Sequence, residues 1–100
     1  MALVPSWQLR WAVIQRTYEF KDFPTAINFV NVVARISEEA WHHPDIDIRG
    51  NRVKLALTTH DEGGLTRKDF ELAASIDAVF AQKWSEFRHQ TKRIVRSRSA

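Results

Sequence analysis

Twice along this chain a two-residue hydrophobic alternation gives way to a stripe of helical spacing, and that change of period constrains the fold more than any single residue does. Tyr18 and Phe20 alternate with Thr17 and Glu19. Ahead of them Trp7, Leu9, Trp11 and Val13 alternate less clearly, with a bend expected between Arg10 and Val13. Asp22 then stands as an N-cap before Pro24, which loses no hydrogen bond in a first helical turn. Ala26, Phe29, Val30, Val33 and Ile36 or Ser37 follow at helical spacing, and Pro44 stops the helix near Ala40 or Trp41. The second round begins with Ile46 and Ile48 and turns at Gly50-Asn51. Val53, Leu55, Leu57 and Thr59 then take one strand face, and Arg52, Lys54, Ala56, Thr58 and His60 the other. Thr66, with Asp69 three residues on, opens a last helix in which Phe70, Ala73, Ile76 or Asp77, Phe80, Trp84 and Phe87 form one apolar stripe.

The order β-β-α-β-β-α predicts an α+β domain, a four-stranded antiparallel sheet with two helices packed on one face. The opposite face is left uncovered in a monomer, and a chain of 100 residues often supplements so small a core by oligomerising. No apolar run reaches the roughly 20 residues a membrane span needs, and the start lacks the basic and apolar regions of a secretory signal. With no cysteine, disulfides and thiolate chemistry are excluded. These features fit a cytoplasmic protein. The net charge of +3 belongs to the tail, because Lys92, Arg93, Arg96 and Arg98 stand among the last ten residues without an acid. The chain therefore divides into a domain over 1–91 and a basic tail over 92–100, read as a solvated helix end rather than a nucleic-acid arm. No internal sequence repeat or low-complexity linker is present.

Three of the four histidines, His42, His43 and His60, fall at predicted element ends, where a rigid scaffold presents reactive groups. Glu38 lies four residues before His42, and Asp61, Glu62 and Asp69 follow His60. The spacing admits three readings: surface or capping histidines, a metal site, or a metal-free acid/base site using imidazole near its ordinary pKa of about 6.5. The metal reading lacks an HxH or HExxH pattern. Asp69 also reads as an ordinary acid of the first helical turn, Trp41 and Trp84 as core residues, and His89 as surface. Gly63-Gly64 is too short, and too acidic in its flanks, for a phosphate loop.

The segment Glu38-Glu39-Ala40-Trp41-His42-His43-Pro44 resembles the signature of the pterin-4a-carbinolamine dehydratase family: an acid, three residues, two histidines and a proline. Thr59-His60 follows at the family's spacing, as do Gly64-Leu65-Thr66, Asp69 and Leu72-Ala73. Trp7, Arg16, Tyr18, Phe20, Phe23, Ala26 and Phe29 match upstream, so that the resemblance spans roughly residues 5 to 84. It implies the same fold, except that the family's extra helix ahead of the first strand is expected to be absent. Where many members have aromatic residues after His-His-Pro, this chain has Ile46 and Arg49, which implies a different pocket wall.

The resemblance further implies loss of water from 4a-hydroxytetrahydropterin, giving quinonoid dihydropterin, without a metal or cofactor. His42 and His60 would then be the acid/base pair, and His43 would bind and orient the pterin. Trp41, Thr58, Thr59 and Asp61 would line the pocket, while Glu38 and Asp69 would hold histidines in a chosen tautomer. Partners implied are a small-molecule pterin and further copies of the chain, as a homodimer or homotetramer. Two other roles the resemblance leaves open are a dimerisation cofactor for a homeodomain transcription factor, using a helix surface to which the last helix here would contribute, and a step in another pterin pathway such as molybdopterin metabolism. Direct nucleic-acid binding is disfavoured, since no helix-turn-helix or RNA-stacking motif is present.

Overall fold

A computed structural model describes residues 5–59 and 63–94. His60, Asp61 and Glu62, the residues before Pro5 and residues 95–100 lie outside the described residues, so the expectations placed on them stay expectations. The elements run β1 (Gln8–Arg10), β2 (Val13–Glu19), α1 (Phe23–Ala40), β3 (Asp45–Arg49), β4 (Arg52–Leu57) and α2 (Arg67–Ile94). The four strands form one antiparallel sheet in the order β1-β2-β4-β3. This is the α+β arrangement that the periodicities predict.

Local chemistry accounts for each boundary. The Asp22 carboxylate accepts the Thr25 backbone N–H at 2.9 Å, closing the first turn of α1 with Pro24 inside it. The predicted bend falls at Trp11-Ala12, a two-residue turn that Arg10 and Val13 close as a pair. Gly50 takes a φ of 60° in the turn between β3 and β4, a conformation that costs glycine little. Asn51 Nδ2 there donates to the Phe20 carbonyl at 2.6 Å, fixing the end of β2 against the turn.

Tyr18, Phe20, Val53, Leu55 and Leu57 bury their side chains under Ala26, Phe29 and Val33 of α1 and Leu72, Ala73, Ile76 and Phe80 of α2. The aromatic rings pack mainly edge to face, with Tyr18 and Phe80 at 4.8 Å and Phe29 and Trp84 at 5.4 Å between centroids. Trp84 thus joins the core as read from sequence. Trp41 does not: it is 85% exposed. The other sheet face carries Thr17, Asp47, Arg49, Arg52 and Lys54 around a shallow polar groove of about 370 Å³.

Asp77, on the apolar stripe of α2, is a hub that the sequence reading passes over. Its carboxylate accepts hydrogen bonds from the Trp7 indole at 3.0 Å, from Arg16 Nη1 at 2.7 Å and from the Tyr18 hydroxyl at 2.6 Å. The Arg16 guanidinium also lies 4.3 Å from the centroid of the Tyr18 ring. Burial first, then the hydrogen bond to anionic Asp77, pushes the Tyr18 phenol far above its ordinary value near 10. Tyr18 is the single tyrosine of the chain, so phenolate absorbance reports on it alone. An alkaline titration is expected to show no ionisation of the folded protein near pH 10. Stability is complete below that value and declines above it, because the unfolded chain releases the proton first. Phenolate appearing near pH 10 in protein that remains folded would contradict the hub.

Candidate functional site

The last turn of α1 sets the first half of the site. Trp41 takes a left-handed φ of 55°, its N–H bonding the Glu38 carbonyl at 3.2 Å, and the His42 N–H bonds the Ser37 carbonyl at 3.1 Å. This is the Schellman closure, usually made with glycine at the left-handed position. It reverses the chain, so Glu38 and His42 are not one helical turn apart as the spacing suggests. Glu38 instead meets His43, with Nε2 to Oε1 at 2.9 Å in an exposed pair.

His42 reaches a different carboxylate. Its Nε2 lies 2.5 Å from Oδ1 of Asp69, which is fully buried in the first turn of α2. The second Asp69 oxygen accepts the Thr59 hydroxyl at 2.7 Å and the Thr66 backbone N–H at 3.0 Å. The bond to Thr66 is the acid half of a capping box, while the Thr66 hydroxyl is engaged with Thr59 at 2.9 Å. Asp69 is therefore both the capping acid that the sequence suggests and the partner of a histidine. Burial, the largest influence, raises its pKa. The hydrogen bonds from His42, Thr59 and Thr66, with the attraction of His42, outweigh burial and hold it below the usual carboxylate range. An ionised Asp69 only accepts, so His42 carries its proton on Nε2, and a neutral ring presents its lone pair at Nδ1.

Two residues past β4, Thr59 pairs its N–H and carbonyl with Gly64 at 3.1 Å each, an isolated bridge on either side of His60 in the sequence. The Thr58 hydroxyl donates to the Ala12 carbonyl at 2.7 Å, fastening the turn between β1 and β2 to the chain just past β4. Gly64 is needed there, since a Cβ on it would lie 3.2 Å from Ala12 Cβ, and its φ of 154° disfavours other residues. Beside His42 a cavity of about 220 Å³ opens between the helices, walled by Ile36, Ala40, Leu72, Lys68, Glu71 and Ser75. Among the described residues, no group of three His, Cys, Asp or Glu gathers as a metal would require.

The structure thus brings together His42, Thr59 and Asp69, places Thr58 alongside them, and sets the His43–Glu38 pair at the solvent edge. The core reading of Trp41 is corrected. The left-handed closure leaves its ring in solvent.

Against known proteins, the pterin 4 alpha carbinolamine dehydratase family matches residues 1–79. The chain belongs to that family. A relative from Acidobacterium capsulatum, which carries the provisional name pterin-4-alpha-carbinolamine dehydratase, is 58% identical over 79 residues, covering 79% of this chain and 86% of its own. One from Chloroflexus aurantiacus with the same provisional name is 60% identical over 79 residues, covering 79% and 85%. The crystal structure of a transcriptional coactivator/pterin dehydratase from Brucella melitensis superposes with a TM-score of 0.72 at 36% identity, over 76% of this chain and 83% of that one. A pterin dehydratase-like protein described as a RuBisCO assembly factor in the alpha-carboxysome shares the fold, with a TM-score of 0.60 at 23% identity, over 73% of this chain and 84% of its own. No described helix is long and apolar enough to cross a membrane.

Proposed function

We propose that this member of the family is a dehydratase acting on 4a-hydroxytetrahydropterin, with His42 and His60 as its acid/base pair. The reaction needs one proton in and one proton out. An imidazolium protonates the 4a-hydroxyl, the C4a–O bond breaks and water leaves. A base takes the N5 proton, the C4a–N5 double bond forms, and quinonoid dihydropterin results with no net redox change. The observation that carries this reading is the His42–Asp69 bond. A buried ionised carboxylate, itself tied to Thr59 and Thr66, orients one imidazole and selects its tautomer.

His60 follows Thr59 and is the residue best placed in sequence to supply the second proton-transfer group. His43, held by Glu38, orients the pterin at the rim. Thr58, Asp61 and Trp41 complete the wall. The enzyme works in the cytoplasm as a homodimer or homotetramer.

The test is the dehydration of freshly generated 4a-hydroxytetrahydropterin followed by ultraviolet absorbance. Acceleration over buffer by the wild type, abolished in His60→Ala, is the expected result. A folded wild type that gives no acceleration would overturn the proposal. The Brucella protein's description joins coactivator and dehydratase, and in that case the binding role becomes the leading reading.

A further inference from the structure

Among the described residues two amino acids other than glycine take a positive φ, and both are tryptophans: Trp11 at 59° and Trp41 at 55°. A Cβ makes this conformation costly, and two-residue hairpin turns and helix closures normally give it to glycine or asparagine. Both rings are also left in water, Trp11 at 92% exposure and Trp41 at 85%, and neither joins the aromatic cluster of the core. Each position therefore carries a strained backbone and an unburied indole, two costs that a small polar residue would avoid. Paired costs of this kind point to function rather than folding.

The two residues stand at opposite ends of one bonded chain through the candidate site. Trp41 precedes His42, which is bonded to Asp69, which is bonded to Thr59. Thr58, which precedes Thr59 just past β4, is bonded to the carbonyl of Ala12, the residue after Trp11. Ala12 also packs close to Gly64, the bridge partner of Thr59. The hairpin turn is thus fastened to the strand end that leads into His60.

We propose that Trp11 and Trp41 are the aromatic walls against which the flat bicyclic ring of a pterin stacks. This inference rests on the function proposed above and adds Trp11 to the site. A pterin has the 2-amino-4-oxo pattern of guanine, and base-sized rings stacked on tryptophan gain enough to change affinity severalfold or more. The left-handed backbone is tolerated because it sets the indole at the rim.

The experiment compares wild type, Trp11→Asn, Trp41→Asn and Trp11→Phe. Titration calorimetry with 6-methyl-7,8-dihydropterin gives Kd, the dehydration assay gives KM, thermal melting gives Tm and light scattering gives the oligomeric state. Asparagine suits the left-handed turn, so each Asn variant is expected to melt higher by several degrees. Each is also expected to bind more weakly, with Kd and KM raised about fivefold or more. Trp11→Phe keeps a stacking face and is expected to retain most of the affinity.

A Trp11→Asn variant that melts higher and binds the pterin as tightly as wild type overturns the inference, and so does one that changes only the oligomeric state. Both results leave the dehydratase reading intact. A wild type that neither binds the dihydropterin nor accelerates dehydration overturns the reading and the inference together.

Discussion

His42→Ala lowers the dehydration rate by about 10²–10⁴-fold, the range that a positioned proton-transfer group supplies. The loss is expected mainly in kcat, because the proposed role of the ring is to move a proton rather than to hold the pterin. Folding is little affected by comparison. Asp69 keeps its bonds from Thr59 and Thr66, and the vacated space adjoins an existing cavity that water can enter. Stopped-flow absorbance on protein with unchanged circular dichroism checks this. A folded His42→Ala variant with near-normal kcat would remove His42 from the chemistry and leave it a capping group.

Asp69→Ala has the opposite balance. The carboxylate is fully buried and accepts from three donors, and its loss strands the Thr66 N–H and leaves the Thr59 hydroxyl only its bond with the Thr66 hydroxyl. Deleting one partner of such a cluster costs about 3 kcal/mol, which for a domain of this length lowers Tm by about 12 °C or more. The rate of the protein that stays folded also falls, because His42 loses the group that fixes its tautomer, but it falls less than in His42→Ala. The pH dependence carries the same signature. The native state holds Asp69 ionised more firmly than the unfolded chain does. Its contribution is therefore complete above the unfolded value of about 3.9 and is lost as pH falls through the lower native value. Wild type is expected to lose stability below about pH 4, and Asp69→Ala to show a flatter acid limb in urea melts. Equal acid slopes in the two proteins would show that Asp69 is not held ionised by the fold.

Much of this architecture can be read from spacing, because the strands and helices each bury one face and their side-chain periods differ. The turn at Gly50, the cap at Asp22 and the alternation from Val53 to Thr59 all stand where their chemistry puts them. The pairings are less legible because they join residues far apart in the chain. Glu38 misses His42 because one left-handed residue ends the helix two positions earlier. Asp77 was visible as an acid on an apolar helix stripe, and Arg16 as a base on the core-facing side of β2 with Ile14 and Tyr18. Either oddity alone reads as noise, and together they name a half-buried ion pair. Leu9 shares the core side with Ile14 yet stays 65% exposed, because β1 is the outermost strand. Nothing in a three-residue strand forecasts that position.

The two carboxylates of α2 have a consequence for how the protein comes to life. Asp69 and Asp77 lie eight residues apart, about 12 Å along the helix axis. One grips the segments that carry His42 and Thr59, and the other grips Trp7, Arg16 and Tyr18 near the beginning of the chain. α2 follows the other described elements in the chain, and it is the one that fastens these earlier segments to one another. A chain emerging without α2 has its histidines but no group to aim His42. If the proposed dehydration is the activity, it should accordingly appear only when this helix docks and brings Asp69 to His42.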